Sequence, residues 1–90
     1  MARTLGQVRY PYLDFPGGQI TLEIRVFSTG YRCLVMINGV PARAAQRRTL
    51  AGALRWGLDT AEWQAALLGI AAPPLPFDRV WSDISAQLAA

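Results

Sequence analysis

The sequence predicts a single α+β domain over residues 1–90, with an antiparallel sheet of two to three strands (7–38) followed by three helices (42–90) on one face of that sheet. Two strand-like runs flank Ser28-Thr29-Gly30, which is typical of a β-hairpin. Downstream, apolar residues recur at helical spacing. Ninety residues are enough for one modest hydrophobic core and too few for two.

The strand predictions rest on alternation of apolar and polar residues. Residues 7–12 alternate, and Pro11 favours a sheet edge because proline lacks the N–H that pairing needs. Residues 20–26 alternate cleanly, whereas residues 33–37 are apolar on both faces, which indicates a central strand. We therefore expect the 33–37 strand to lie between the other two. The outer face of such a sheet would present Phe27, Tyr31 and Val35.

The first predicted helix lies within residues 42–56 and ends at Gly57, with Thr49 as an internal cap. A second helix is expected to begin at Asp59, because the sequence from Asp59 to Glu62 matches a capping box. Its predicted buried stripe consists of Trp63, Ala66, Leu67 and Ile70.

The prolines within residues 71–76 favour a stiff polyproline spacer, since proline cannot continue a helix. A third helix follows, with Asp78 as its cap. Its apolar stripe consists of Phe77, Val80, Trp81, Ile84 and Leu88. We expect this stripe to pack within the chain, and the alternative is that it docks on another subunit.

Composition adds a surplus of apolar surface and an uneven charge. Hydrophobic residues make up 52% of the chain and charged residues 17%. Such a content indicates either a well-filled core or an apolar patch kept for a partner. The net charge is +3, and all nine basic residues are arginines, eight of them within residues 1–55. This asymmetry favours an anionic partner or head-to-tail self-association.

The residue inventory argues against an enzyme. The chain has no histidine, its six acidic residues are scattered, and its glycines form no phosphate-binding loop. Cys33 is the only cysteine, so an internal disulfide and a thiolate metal site are excluded. We expect no cofactor, no metal, no signal peptide and no membrane span, and hence a soluble cytoplasmic protein.

Two binding functions remain, and the first is nucleic-acid binding. Four arginines are crowded within residues 43–55, and no acidic residue lies between Glu23 and Asp59; the four are Arg43, Arg47, Arg48 and Arg55. Residues 52–63 resemble a helix-turn-helix in their small, turn and apolar positions. The second helix of that motif would nevertheless offer Asp59 and Glu62 to the DNA groove and no basic residue. Nucleic-acid binding is therefore the alternative hypothesis.

Protein binding is the preferred hypothesis, because interface hot spots are rich in aromatic residues and arginine. The predicted contacts are Arg25, Phe27 and Tyr31 on the outer sheet face, or Arg43, Arg47, Arg48 and Arg55 on the first helix. The expected partner is another protein with an acidic surface, a nucleoprotein complex, or a second copy of the chain. In size and lack of chemistry the sequence is similar to small inhibitors and adaptors encoded by phages and mobile elements, including anti-CRISPR proteins.

Overall fold

The computed structural model describes residues 4–71 and 75–89 and has an α+β fold. Its elements, in chain order, are β1 (Gly6–Phe15), β2 (Gly18–Phe27), β3 (Gly30–Ile37), β4 (Val40–Arg47), α1 (Leu50–Leu67) and α2 (Phe77–Ala89). The four strands form one antiparallel sheet in the order β1-β2-β3-β4.

The prediction of two to three strands and three helices is therefore wrong, because the described residues form four strands and two helices. The order of the strands also differs from the prediction, since β1 pairs with β2 and not with β3. Much of the predicted first helix is the strand β4. The predicted helix start at Asp59 lies inside α1, which runs without a break past Gly57.

The turn before β4 explains why this segment is a strand. Asn38 and Gly39 have positive φ angles of 53° and 80°, the backbone that a two-residue hairpin loop needs. The Asn38 side-chain oxygen accepts a hydrogen bond of 2.9 Å from the Gln19 backbone N–H, which fixes the loop beside β2. The following chain pairs with the free side of β3. As predicted, β3 is a central strand; it lies between β2 and β4.

Both helices lie on the same face of the sheet, and the hydrophobic core is between them and the strands. The buried core residues on the strands are Val8, Tyr12, Ile20, Leu22, Ile24, Cys33 and Val35. Tyr31 is half-buried on this face and packs against the core. Both Tyr31 and Val35 were predicted on the outer face, and that prediction is wrong because cross-strand pairing places them beside Val26 and Leu22.

Small residues allow α1 to lie close to the sheet. Its buried residues are Ala53, Leu54, Gly57, Ala61 and Ala65, so every fourth position from residue 53 to residue 65 is Ala or Gly. The contact at Gly57 is close, since an added Cβ would lie 2.5 Å from the sulfur of Cys33. At the other end, the Thr49 hydroxyl accepts a 3.0 Å hydrogen bond from the Gly52 N–H and caps the helix.

The second helix, α2, packs within the chain against β1 and α1, with Val80 and Ile84 fully buried. This confirms the packing expected for the C-terminal stripe, although Trp81 is 36% exposed. Asp78 lies in the first turn of α2. Half of the predicted polyproline spacer, residues 72–74, lies outside the described residues.

We expect Gly57→Ala to lower the free energy of unfolding by about 1–3 kcal/mol, because the new methyl group overpacks the contact with Cys33. Helix propensity alone predicts the opposite sign, since alanine is favoured over glycine in a helix by about 1 kcal/mol. Urea unfolding followed by circular dichroism measures the change.

The control is a double-mutant cycle with Cys33→Ala, which makes room for the methyl group. The loss caused by Gly57→Ala is expected to shrink in the Cys33→Ala background. Equal losses in both backgrounds would show that close packing at Gly57 is not the constraint.

Candidate functional site

The candidate site lies along β4, the most exposed strand of the sheet. Seven of its eight residues are exposed and one is partly buried. The strand forms the edge of the sheet beyond β3, and within residues 4–71 and 75–89 no strand pairs with its outer side. Pro41, Arg43 and Arg47 are the kinds of residue that keep exposed edge strands from pairing with each other. The edge is therefore accessible to solvent, and its residues disfavour nonspecific pairing with other edge strands.

The side of α1 that faces β4 carries large apolar residues. Trp63 and Leu67 are four positions apart, so they share one side of the helix, and they are 47% and 63% exposed. Val40, at the start of β4, is 65% exposed and pairs with Ile37, on the helix-covered face of the sheet. Large apolar side chains thus stand in solvent on the helix side of the edge strand.

An arginine joins the strand to the helix at this place. The guanidinium carbon of Arg43 lies 4.8 Å from the centre of a Trp63 ring, within the range of a cation–π interaction. Arg43 pairs with Val35 on β3, so it also belongs to the helix-covered face. We call the group formed by Val40, Arg43, Trp63 and Leu67 the Trp63 patch.

Positive charge continues along β4 beyond the patch. Arg47 ends the strand on the same face as Arg43, and its Nη1 donates a 2.8 Å hydrogen bond to the backbone oxygen of Gln46. Arg48 follows in the bend before α1 and is exposed. Since no acidic residue lies between Glu23 and Asp59 in the sequence, this segment is uniformly cationic. It suits an anionic partner.

The opposite face of the sheet carries neither of the two described helices and is organised around a buried carboxylate. Glu23 is fully buried and accepts 2.8 Å ion-pair hydrogen bonds from the Nε atoms of Arg9 and Arg25. Gln7 donates a further hydrogen bond of 3.0 Å. Burial raises the pKa of the Glu23 carboxyl, but the hydrogen bonds and charges of the two arginines outweigh burial, and the pKa is lower than its ordinary value.

The side chains of this open face follow the strand register in cross-sheet rows. One row runs Gln7, Arg25, Arg32, Gln46; the next runs Arg9, Glu23, Leu34, Ala44; the third runs Pro11, Thr21, Met36, Pro41. Leu34 and Met36 are only 6% and 7% exposed even though both described helices lie on the other face. The face is therefore polar at its surface and offers little apolar area to a partner.

A small cleft of about 180 Å³ opens on the other flank of α1. Its lining consists of Tyr12, Arg55, Leu58, Asp59, Glu62, Leu75 and Phe77. The guanidinium carbon of Arg55 lies 4.5 Å from the centre of the Phe77 ring. Burial, and then the nearby Glu62 carboxylate, raise the pKa of Tyr12. Arg55 therefore holds the start of α2 against α1 and is turned away from β4.

Cys33 does not form a reactive site. Its side chain is fully buried, and burial raises the pKa of the Cys33 thiol to about 12. The thiolate that nucleophilic chemistry requires is therefore scarce at neutral pH. In the part of the chain that the structure describes, no group of three or more metal-ligating side chains is found. No helix there is long and apolar enough to cross a membrane.

The residues predicted for protein binding do not form one surface. Arg25 lies on the open face, held by Glu23, and Phe27 lies half-buried at the end of the same strand. Arg43 and Arg47 lie on β4 and Arg48 lies just after it, so the prediction that they share a helix with Arg55 is wrong. Of the predicted residues, Arg43, Arg47 and Arg48 lie together along the edge strand, and Tyr31 lies directly opposite Arg47 on β3.

Trp63 and Leu67 are the important residues that the sequence prediction missed, because they were assigned to a buried stripe together with Ala66 and Ile70. In the structure Trp63, Ala66 and Leu67 are exposed, and Ile70 is partly buried. The signal that could have found them is the run of small residues every fourth position, which marks the other side of α1 as the buried side.

The helix-turn-helix resemblance is also corrected by the structure. Residues 52–63 lie within the continuous helix α1, so the motif has no turn. No family model, no curated protein and no solved structure matches the chain. The site is therefore interpreted from its own geometry.

We expect Glu23→Gln to lower the free energy of unfolding by about 1–3 kcal/mol at pH 7, because the amide cannot replace both charged hydrogen bonds to arginine. Since the folded pKa of Glu23 is lowered, its stabilisation is complete above the unfolded pKa of about 4.3 and is lost as the pH falls through the folded value. Urea unfolding between pH 7 and pH 3 measures both effects.

The difference in stability between wild type and Glu23→Gln is therefore expected to narrow as the pH falls. The exposed residue Asp14 provides the control, and Asp14→Asn is expected to change little. A difference that stays constant across this pH range would contradict the role given to the Glu23 charge.

We expect Trp63→Ala to lower the free energy of unfolding by less than about 1 kcal/mol, because the side chain is 47% exposed. Leu54→Ala, on the buried side of the same helix, is expected to cost about 2–5 kcal/mol. Urea unfolding of the two variants makes the comparison. A large loss for Trp63→Ala would show that the ring serves the fold and not a partner.

Proposed function

We propose that this protein is a non-catalytic binding module that docks on another protein through the Trp63 patch. The observation that carries the proposal is the exposed Trp63 ring beneath the Arg43 guanidinium. Tryptophan and arginine are the residues most often found at interface hot spots, where they combine a large contact area with a polar handle. The neighbouring Leu67 and Val40 extend the apolar area.

The stacked pair is suited to an interface because both groups are held before a partner arrives. Arg43 is fixed by a strand and Trp63 by a helix, so neither depends on a loop. Held side chains lose less conformational entropy on binding. The surrounding arginines favour a partner that carries carboxylates, because a guanidinium binds a carboxylate with two parallel hydrogen bonds.

In this function the chain acts as a small inhibitor or adaptor in the cytoplasm, of the type that phages and mobile elements encode. It occupies a surface of its target and performs no reaction of its own. The small size of the chain supports this mode of action.

Nucleic-acid binding stays as the alternative, now without the helix-turn-helix. The observation that favours it is on the open face, where Glu23 holds Arg9 and Arg25 through their Nε atoms. Arg32 lies directly opposite Arg25 on β3. Three guanidiniums on adjacent strands could contact a phosphate backbone, and such binding would weaken steeply with salt.

Affinity capture from a lysate of the source organism, with and without nuclease, tests the proposed function. We expect one protein to co-purify at a defined stoichiometry in both conditions and to be lost with Trp63→Ala or Leu67→Ala. Truncation of a hot-spot residue costs at least about 2 kcal/mol of binding free energy, or roughly thirtyfold in affinity.

The matched control is Trp81→Ala, which removes another partly exposed tryptophan, on α2. This variant is expected to retain the captured protein. Capture that disappears after nuclease treatment and with Arg32→Ala, but survives Trp63→Ala, would reject the proposal in favour of nucleic-acid binding.

A further inference from the structure

The outer edge of β4 is a second feature of the same surface that the Trp63 patch does not use. Within the described residues β4 has a strand neighbour on one side only, so its other side carries backbone N–H and C=O groups without strand partners. Such an edge can accept an additional strand. The Trp63 patch lies beside this edge, on the helix-covered side of the sheet.

We propose that β4 accepts an extended acidic segment of the partner protein as a fifth strand of the sheet. This inference rests on the proposed function and specifies the chemistry of the partner. Backbone hydrogen bonds along β4 supply affinity that does not depend on sequence, and the side chains of β4 select which segment binds.

The register of β4 defines the side chains that the incoming strand meets. On the helix-covered face these are Arg43, Ala45 and Arg47, which pair with Val35, Cys33 and Tyr31 of β3. Residues directly opposite each other on neighbouring strands have Cβ atoms about 4.5–5.5 Å apart. Two carboxylates, separated by three residues in the added strand, would therefore stand opposite the two arginines.

The middle position of the added strand faces Ala45, the one partly buried residue of β4. Since alanine is small, a larger apolar side chain has room there, and it would stand on the same side of the sheet as Trp63. The preferred segment thus reads acidic, any, apolar, any, acidic. Because this pattern is symmetric, it holds for parallel and antiparallel addition.

A second copy of the chain is a poor occupant of this edge. Two β4 strands that pair antiparallel over their length, with Ala45 opposite Ala45, place Arg43 of each copy opposite Arg47 of the other. Like charges directly opposite each other destabilise strand pairing. Arg43 and Arg47 thus disfavour pairing with a second copy of the chain and favour pairing with a segment that carries carboxylates.

The test is a displayed library of short peptides in which three alternate positions are randomised within a threonine-rich strand, selected on the immobilised wild-type chain. We expect Asp or Glu at the outer two positions and an apolar residue at the middle one. Binding of a selected peptide, measured by fluorescence anisotropy, is expected to weaken at least about tenfold in Arg43→Glu/Arg47→Glu.

Three controls make the result specific. A peptide with lysines at its outer positions should bind the doubly substituted chain better than wild type, which also shows that the variant is folded. Methylation of the peptide backbone nitrogens on the paired edge should abolish binding, since it removes the strand hydrogen bonds. Arg32→Glu, on the open face, should change the affinity by less than about twofold.

Peptides that require Trp63 but tolerate methylation of their backbone nitrogens would overturn strand addition and leave docking at the Trp63 patch intact. Peptides that tolerate Arg43→Glu/Arg47→Glu would overturn the pairing of acidic positions with these two arginines. Failure to enrich any peptide above an uncoated surface would also overturn strand addition, while the capture experiment tests docking by itself. A wild-type dimer that the selected peptide dissociates, seen by sedimentation, would show that the occupant is a second copy.

Discussion

The structure depends on the close contact between α1 and the sheet at Gly57. The Cβ that this residue lacks would lie 2.5 Å from the sulfur of Cys33, and alanines occupy the positions four residues away on either side. A helix that presents small residues to the sheet must carry its large residues on its flanks. Trp63 and Leu67 are exposed for this reason. The packing of the core thus also places the candidate site, beside the edge strand.

The two faces of the sheet differ in the kind of side chain that they bury. The helix-covered face is apolar, whereas the open face buries the Glu23 carboxylate under two arginines. Isolated burial of a carboxylate is costly, and only the hydrogen bonds from Arg9, Arg25 and Gln7 make it tolerable. The arginine stems and their charged ends give the open face a polar surface. As a result, the accessible apolar side chains are concentrated elsewhere, and the Trp63 patch is a distinct feature.

Strands that are buried on at least one face have a regular apolar pattern, and the sequence predicted these strands correctly. The sequence did not predict the exposed strand, which has no such pattern. The alternation in residues 20–26 and the two-sided apolar run at 33–37 correspond to β2 and β3. In contrast, β4 consists of Val, Pro, Ala, Arg and Gln with no apolar alternation, because almost all of it is exposed. The sequence signal for this strand is the Asn38-Gly39 pair before it, which is typical of a two-residue hairpin loop. Likewise, the capping-box pattern at Asp59 was overridden by the tertiary packing that keeps α1 continuous.

The failed predictions coincide with the candidate site, and the reason is physical. Among the described residues no strand covers the outer side of β4, so this strand does not show the burial pattern of a central strand. From sequence alone, an aromatic residue at an interface cannot be distinguished from one in the hydrophobic core, because both are large and apolar. Local rules are most often broken where a structure serves function as well as stability. Arg43 takes part in both features, because it lies on the edge strand β4 and its guanidinium covers the exposed Trp63 ring. In the proposed strand addition, the charge of Arg43 disfavours pairing between two copies of the edge and attracts an acidic segment.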